Sequence, residues 1–222
     1  TYVPKISLSA RTYSMWSAIG MEYTHYVQDF SYNKMHGFDR APMKGNHLGF
    51  DNPSTGDSWV EGVGTFMPAL IANWYNMAEA GKFQSNSLEQ NKYKPTSKNL
   101  KYFGYWLDEE YAIATLLWDL YDRRQDGENI SLSVTEIWRL IDGFDDFQKY
   151  NSQDYMKKYS YYESINSNER HIKYFKDFYD YMSDYDVNHD GQINSSDQKM
   201  VDEVFALHGI PNGYTNSEKT RV

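Results

Sequence analysis

At 222 residues the chain can bury one sizeable core, and its formal charge of −9 disfavours nucleic acid and anionic membranes, both of which need clustered Lys and Arg. Without cysteine it can form no disulfide, no thioether haem attachment and no thiolate zinc site. No uninterrupted apolar run approaches the ~20 residues of a membrane span, and the abundance of tyrosine (21 residues), with much Asn and Ser, is the composition of an extracellular surface protein.

Ile6 to Leu8, following Pro4, is a short N-terminal strand candidate. Trp16, Ile19, Tyr23, Val27 and Phe30 recur three and four residues apart, which predicts a helix over Tyr13 to Phe30. Residues 33–57 are rich in Gly, Pro, Asn and Asp and read as a loop. A second helix is expected from Ser58 to Ala80, kinked at Pro68 and stopped by Gly81. After a polar, irregular stretch to Gly104, a third helix covers Leu107 to Arg124, its apolar face set by Ile113, Leu116, Leu117 and Leu120. Shorter helices follow at Val134 to Ile141, Gln153 to Tyr162, Glu169 to Ser183 and Ser196 to His208. The expected fold class is mainly α. Residues 1–210 form one domain, 168–208 hold a helix–loop–helix unit within it, and 211–222 are a C-terminal tail.

The first helix carries Met21-Glu22-Tyr23-Thr24-His25. An H-E-x-x-H pattern sets two imidazoles one turn apart on a single helix face, where they can hold zinc while the glutamate activates water. Here Glu22 and His25 occupy the base and second-ligand positions, but Met21 takes the place of the first ligand. A thioether is soft and suits copper(I) better than zinc, and methionine commonly fills core space instead. The second helix carries Trp59-Val60-Glu61-Gly62. Ser58-x-x-Glu61 also fits a capping box, which would explain Glu61 by helix-end hydrogen bonding alone.

Taken in order along the chain, these segments resemble the gluzincin metallopeptidases, the group that includes thermolysin-like and fungalysin-like enzymes. Leu117-Trp118-Asp119-Leu120-Tyr121-Asp122 looks like a helix of secreted peptidase-like domains, and Phe205 to Ile210 fits their closing helix. The resemblance implies Glu61 as a zinc ligand beside His25, and Glu22 as general base acting on a peptide or protein substrate. It also implies a substrate-binding β subdomain before the motif helix, for which this chain has only the strand candidate at Ile6 to Leu8. A catalytic zinc site takes three protein ligands and an open position, so with Met21 in place the set is short by one. His36 and His47, in the loop between the two helices, are the substitutes the sequence offers.

A second cation motif lies at Asp186 to Asp197, which matches the twelve-residue EF-hand loop. Asp186, Asn188 and Asp190 supply side-chain oxygens at positions 1, 3 and 5; Gly191 allows the sharp turn at 6; Gln192 offers its carbonyl at 7. Ile193 stands at position 8 as a residue that pins the loop to a core, Asn194 can ligate at 9, and Asp197 closes the loop in place of the usual Glu. That last choice resembles dockerin loops, although only one convincing loop is present. Hard oxygen ligands of this kind suit calcium, which is plentiful outside the cell.

The sequence therefore points to a secreted, calcium-stabilised, metallopeptidase-like domain whose zinc-dependent proteolysis is impaired or lost through Met21. The alternative is a non-catalytic extracellular module that assembles with other surface proteins or binds glycans, for which Tyr159, Tyr161 and Tyr162 are candidate stacking residues. Neither reading involves nucleic acid or a membrane span.

Overall fold

The structure is a computed structural model, and it describes residues 15–32, 55–78, 80–84, 86–89, 110–122, 129–141, 178–179 and 181–208. The expected strand at Ile6 to Leu8, the helix at Gln153 to Tyr162, the tail at 211–222 and both His36 and His47 lie outside the described residues. Within them the architecture is mainly helical, as expected: α1 (Trp16–Tyr32), α2 (Thr55–Trp74), α3 (Glu110–Tyr121), α4 (134–141) and α5 (Ser195–Leu207). Residues 178–179 and 181–183 are helical as well. A two-residue antiparallel pair, β1 (Lys82–Phe83) with β2 (Asn86–Ser87), turns through Gln84, whose φ is 55°. No described helix is long and apolar enough to cross a membrane.

α2 lies at the centre because it is apolar on most of its circumference. Trp59, Val63, Phe66 and Leu70 are buried, and the expected face of α3 (Ile113, Leu116, Leu117, Leu120) is buried in the same core. Such side chains stabilise by roughly 1.5–3 kcal/mol each on full burial. Phe178 stacks on Trp59 with centroids 4.7 Å apart and continues to Phe205 of α5 at 5.9 Å. The extended stretch 129–133 is tied to α3 by Leu132 N–H donating to the Leu120 carbonyl at 2.8 Å. It leads into α4 through a capping box: Ser133 N–H donates to Glu136 at 2.7 Å, and Glu136 N–H donates to the Ser133 hydroxyl at 3.3 Å.

On its other side α2 meets α1 closely enough that glycine is required. A Cβ on Gly20 would fall 2.6 Å from Pro68 Cβ, and one on Gly64 would fall 2.6 Å from His25 Cε1. The Trp16 indole N–H donates to the Pro68 carbonyl at 3.3 Å, fastening the two helices at the same level. α2 runs through Pro68 to Trp74 and stops seven residues before Gly81. Asn76 takes a left-handed φ of 53°, Met77 N–H donates to the Ala72 carbonyl at 2.8 Å, and Asn76 N–H donates to the Asn73 carbonyl at 3.1 Å. These bonds form a Schellman turn with Asn, which tolerates the left-handed region, in the place usually held by Gly. Gly81 has a different role: at φ 64° it passes beneath the Trp118 ring, where a Cβ would stand 2.9 Å from Cζ2.

Candidate metal-binding sites

The close crossing of α1 and α2 brings His25 and Glu61 together. His25 Nε2 and Glu61 Oε2 are 3.3 Å apart, and the carboxylate is buried. On the other side of the ring His25 Nδ1 donates to Gln28 Oε1 at 3.1 Å, which leaves Nε2 to face Glu61. A metal-ligating histidine has this arrangement, with one nitrogen fixed by a hydrogen bond and the other turned to the ligand position. Burial opposes charging of His25, but the Glu61 carboxylate, the Gln28 amide and the nearby Glu22 charge outweigh it and lift the pKa above 6.5. A proton between Nε2 and Glu61 thus stands where a metal ion would be shared.

The remaining members are placed differently. Glu22 is on the same helix one turn before His25, with its side chain exposed, and reaches His25 only through its charge. Met21 is partly buried against the hydrophobic core, so its thioether serves packing. Ser58 lies inside α2, three residues past its start, so Glu61 is not the N3 residue of a capping box and its carboxylate is beside His25 instead. Among the described residues no three His, Asp or Glu side chains gather as a metal site. His25 and Glu61 are therefore two donors of a fitting chemical type, without a third.

The loop from Asp186 to Asp197 is held by its own side chains. Asp186 Oδ2 accepts from Gly191 N–H at 3.0 Å, Asn188 Oδ1 from Asp190 N–H at 2.8 Å, and Asp190 Oδ1 from Gln192 N–H at 2.8 Å. His189 and Gly191 both take left-handed φ values, 60° and 83°, which curl the backbone around these oxygens. Asp186 Oδ1 is buried with no hydrogen-bond partner among the described residues. A buried carboxylate oxygen without a donor is costly, and a cation is one partner that could satisfy it.

Two loop positions have functions that the sequence did not reveal. Asp197 is fully buried; Oδ1 accepts from Val187 and Asn188 N–H at 3.1 and 3.2 Å, and Oδ2 accepts from Asn194 N–H at 2.9 Å. Burial would raise its pKa, but these backbone donors and its own N–H hold it below the ordinary carboxylate value. Asn194 caps α5 by accepting from Ser196 N–H at 2.7 Å, so Asn194 and Asp197 together form a capping box. Asn194 Nδ2 also donates to Asp190 Oδ2 and to the Gln192 carbonyl, each at 3.2 Å. The Asn-x-x-Asp spacing was the available signal. Ile193, expected to anchor the loop, is 58% exposed, and Val187 is the buried apolar residue. The reason is local: position 8 faces away from the core, and the buried position 2 stands against α5.

A further polar centre went unpredicted. His208 Nε2 lies 2.8 Å from Asp119 Oδ2, and its Nδ1 lies 3.2 Å from Thr115 Oγ1, whose hydroxyl is also 2.8 Å from the Tyr111 carbonyl. All three side chains are buried. The sequence set Asp119 and His208 in two separate motifs, and only the packing of α5 on α3 brings them into contact. A scan against protein-family models finds no match to the chain, and searches of curated proteins and of solved structures likewise find none.

Proposed function

We propose that the chain is a secreted, calcium-stabilised domain of gluzincin-like build in which zinc-dependent proteolysis has been lost, leaving a non-catalytic extracellular module. The observation that carries this reading is the meeting of His25 and Glu61 at 3.3 Å from separate helices, with the His25 ring fixed by Gln28. A chance Glu-x-x-His pair has no reason to find a second carboxylate above a glycine-lined crossing. Loss of activity is supported by Met21 packing into the core and by the need of a catalytic zinc site for three protein ligands. Zinc would supply Lewis-acid activation of water; with two donors its affinity falls sharply, and Glu22 has nothing to act on.

The calcium half rests on Asp186 Oδ1, buried without a donor among the described residues, inside a loop already curled around its oxygens. Asn188, Asp190 and the Gln192 carbonyl are the further ligands that the loop pattern assigns, while Asn194 and Asp197 hold the loop's own backbone and the start of α5. The test is metal analysis of the purified chain after dialysis against calcium and zinc, with casein hydrolysis measured in parallel. The expected outcome is about one calcium per chain, no stoichiometric zinc and no hydrolysis. Calcium removal should lower the melting temperature, and Asp186→Ala should abolish that dependence. Stoichiometric zinc, with hydrolysis lost in Glu22→Gln, would overturn the loss of catalysis. An unchanged melting temperature on chelation would overturn the calcium assignment.

A further inference from the structure

At the far end of α2, thirteen residues and about 20 Å beyond Glu61, a cleft of about 760 Å3 opens between the α2 Schellman turn, the β1–β2 pair, the end of α3 and the start of α4. Its volume is that of a small-molecule site. Trp74, the last residue of α2, lines the cleft with 63% of its surface exposed. An indole left this open loses the gain of burial, and it offers a flat apolar face beside polar walls.

Those walls carry free hydrogen-bonding capacity of both kinds. Asn73 Nδ2 donates to the Tyr121 hydroxyl oxygen at 2.8 Å. This leaves the Tyr121 hydroxyl proton and the side-chain Oδ1 of Asn73 close together, with no other partner among the described residues. A donor next to an acceptor matches an alcohol group, which is both at once. Of the wall carboxylates, Glu89 and Glu136 already hold hydrogen bonds, and the buried Asp122 stands beside them. Glu89 accepts from the Trp118 indole N–H at 3.0 Å, and Glu136 accepts from Ser133 N–H at 2.7 Å and faces His189 at 3.3 Å. The cleft thus presents a stacking surface beside a neutral donor and acceptor, the pairing that a sugar ring with its apolar face and hydroxyls can meet.

We propose that this cleft binds a neutral oligosaccharide, with one sugar ring stacked on Trp74 and a hydroxyl held between Tyr121 and Asn73. The site is separate from the His25–Glu61 pair and does not rest on either metal assignment. The experiment is titration of the full chain, with calcium present, by cellohexaose, xylohexaose, mannohexaose and chitohexaose. Tryptophan fluorescence and calorimetry are the readouts, and a Lys-rich peptide is the charged control. At least one saccharide should bind saturably and the peptide should not. Trp74→Ala, at an exposed position, should keep the melting temperature and weaken binding by about tenfold, the size of one aromatic stacking contact. Tyr121→Phe should weaken it as well, through loss of the hydroxyl alone. Absence of binding by all four saccharides, binding unchanged in folded Trp74→Ala, or binding of the peptide alone would each overturn the proposal.

Discussion

Replacing Asp119 by Ala should be among the most damaging single changes in the described core. Asp119 and His208 have side chains only 2% and 3% exposed, and they meet at 2.8 Å. Truncating Asp119 removes the acceptor that His208 Nε2 meets inside the core. Breaking such a buried pair from one side costs about 3–5 kcal/mol. For a chain of this size about 2–4 °C of melting temperature goes with each kcal/mol, so the midpoint should fall by roughly 6–20 °C. Circular dichroism melts of the wild type, Asp119→Ala and Asp119→Asn would measure this. Asn keeps an acceptor oxygen at the same place, and its loss should be well under half that of Ala. A melting temperature for Asp119→Ala within about 2 °C of wild type would show that the Asp119–His208 contact does not hold α5 on α3.

Gly20→Ala forces a Cβ to 2.6 Å from Pro68 Cβ; overpacking of about 1–3 kcal/mol exceeds the helix-propensity gain of about 1 kcal/mol. Denaturant unfolding should therefore show a net loss, and a gain in stability would refute the tight crossing. Met21→His should confer zinc binding in competition titrations, because His25 and Glu61 already converge; no gain would mean that the pair is not a ligand arrangement. Glu136 has its pKa lowered below 4.5, chiefly by the hydrogen bonds of Ser133 opposed in part by burial, with His189 and Arg139 adding favourable charge. A depressed carboxylate pKa contributes stability above the unfolded value, and this is lost as pH falls through the folded value. The difference in melting temperature between wild type and Glu136→Gln should thus be largest near neutral pH and close below about pH 4; a difference that persists in acid would refute the charge-based account of this cap.

Apolar periodicity made the helices legible, because the side of each helix that packs is encoded in its own residues. α3 shows this best: the four residues expected to face the core are all buried. Helix ends were harder. Gly81 was the obvious stop for α2, but Asn76 could already take the left-handed position, and which residue terminates a helix depends on the turn that follows. The capping role of Glu61 failed for a similar reason, since the helix began before Ser58. The His25–Glu61 meeting could be anticipated only as an implication of resemblance. Nothing in the spacing of two segments 36 residues apart fixes a helix crossing; that depended on the glycines that clear the way. The Thr115–His208–Asp119 centre was not legible for the same reason, being 89 residues apart between its histidine and its carboxylate.

The clearance at Gly20 and Gly64 also bears on how the His25–Glu61 pair responds to change around it. The gap between the imidazole and the carboxylate is set by how far the two helical backbones stand apart, and Trp16 and the buried apolar face of α2 maintain that gap by themselves. Substituting a neighbour such as residue 21 therefore leaves the remaining two groups in place. The pair is thus a property of the helix crossing and not of the residues beside it.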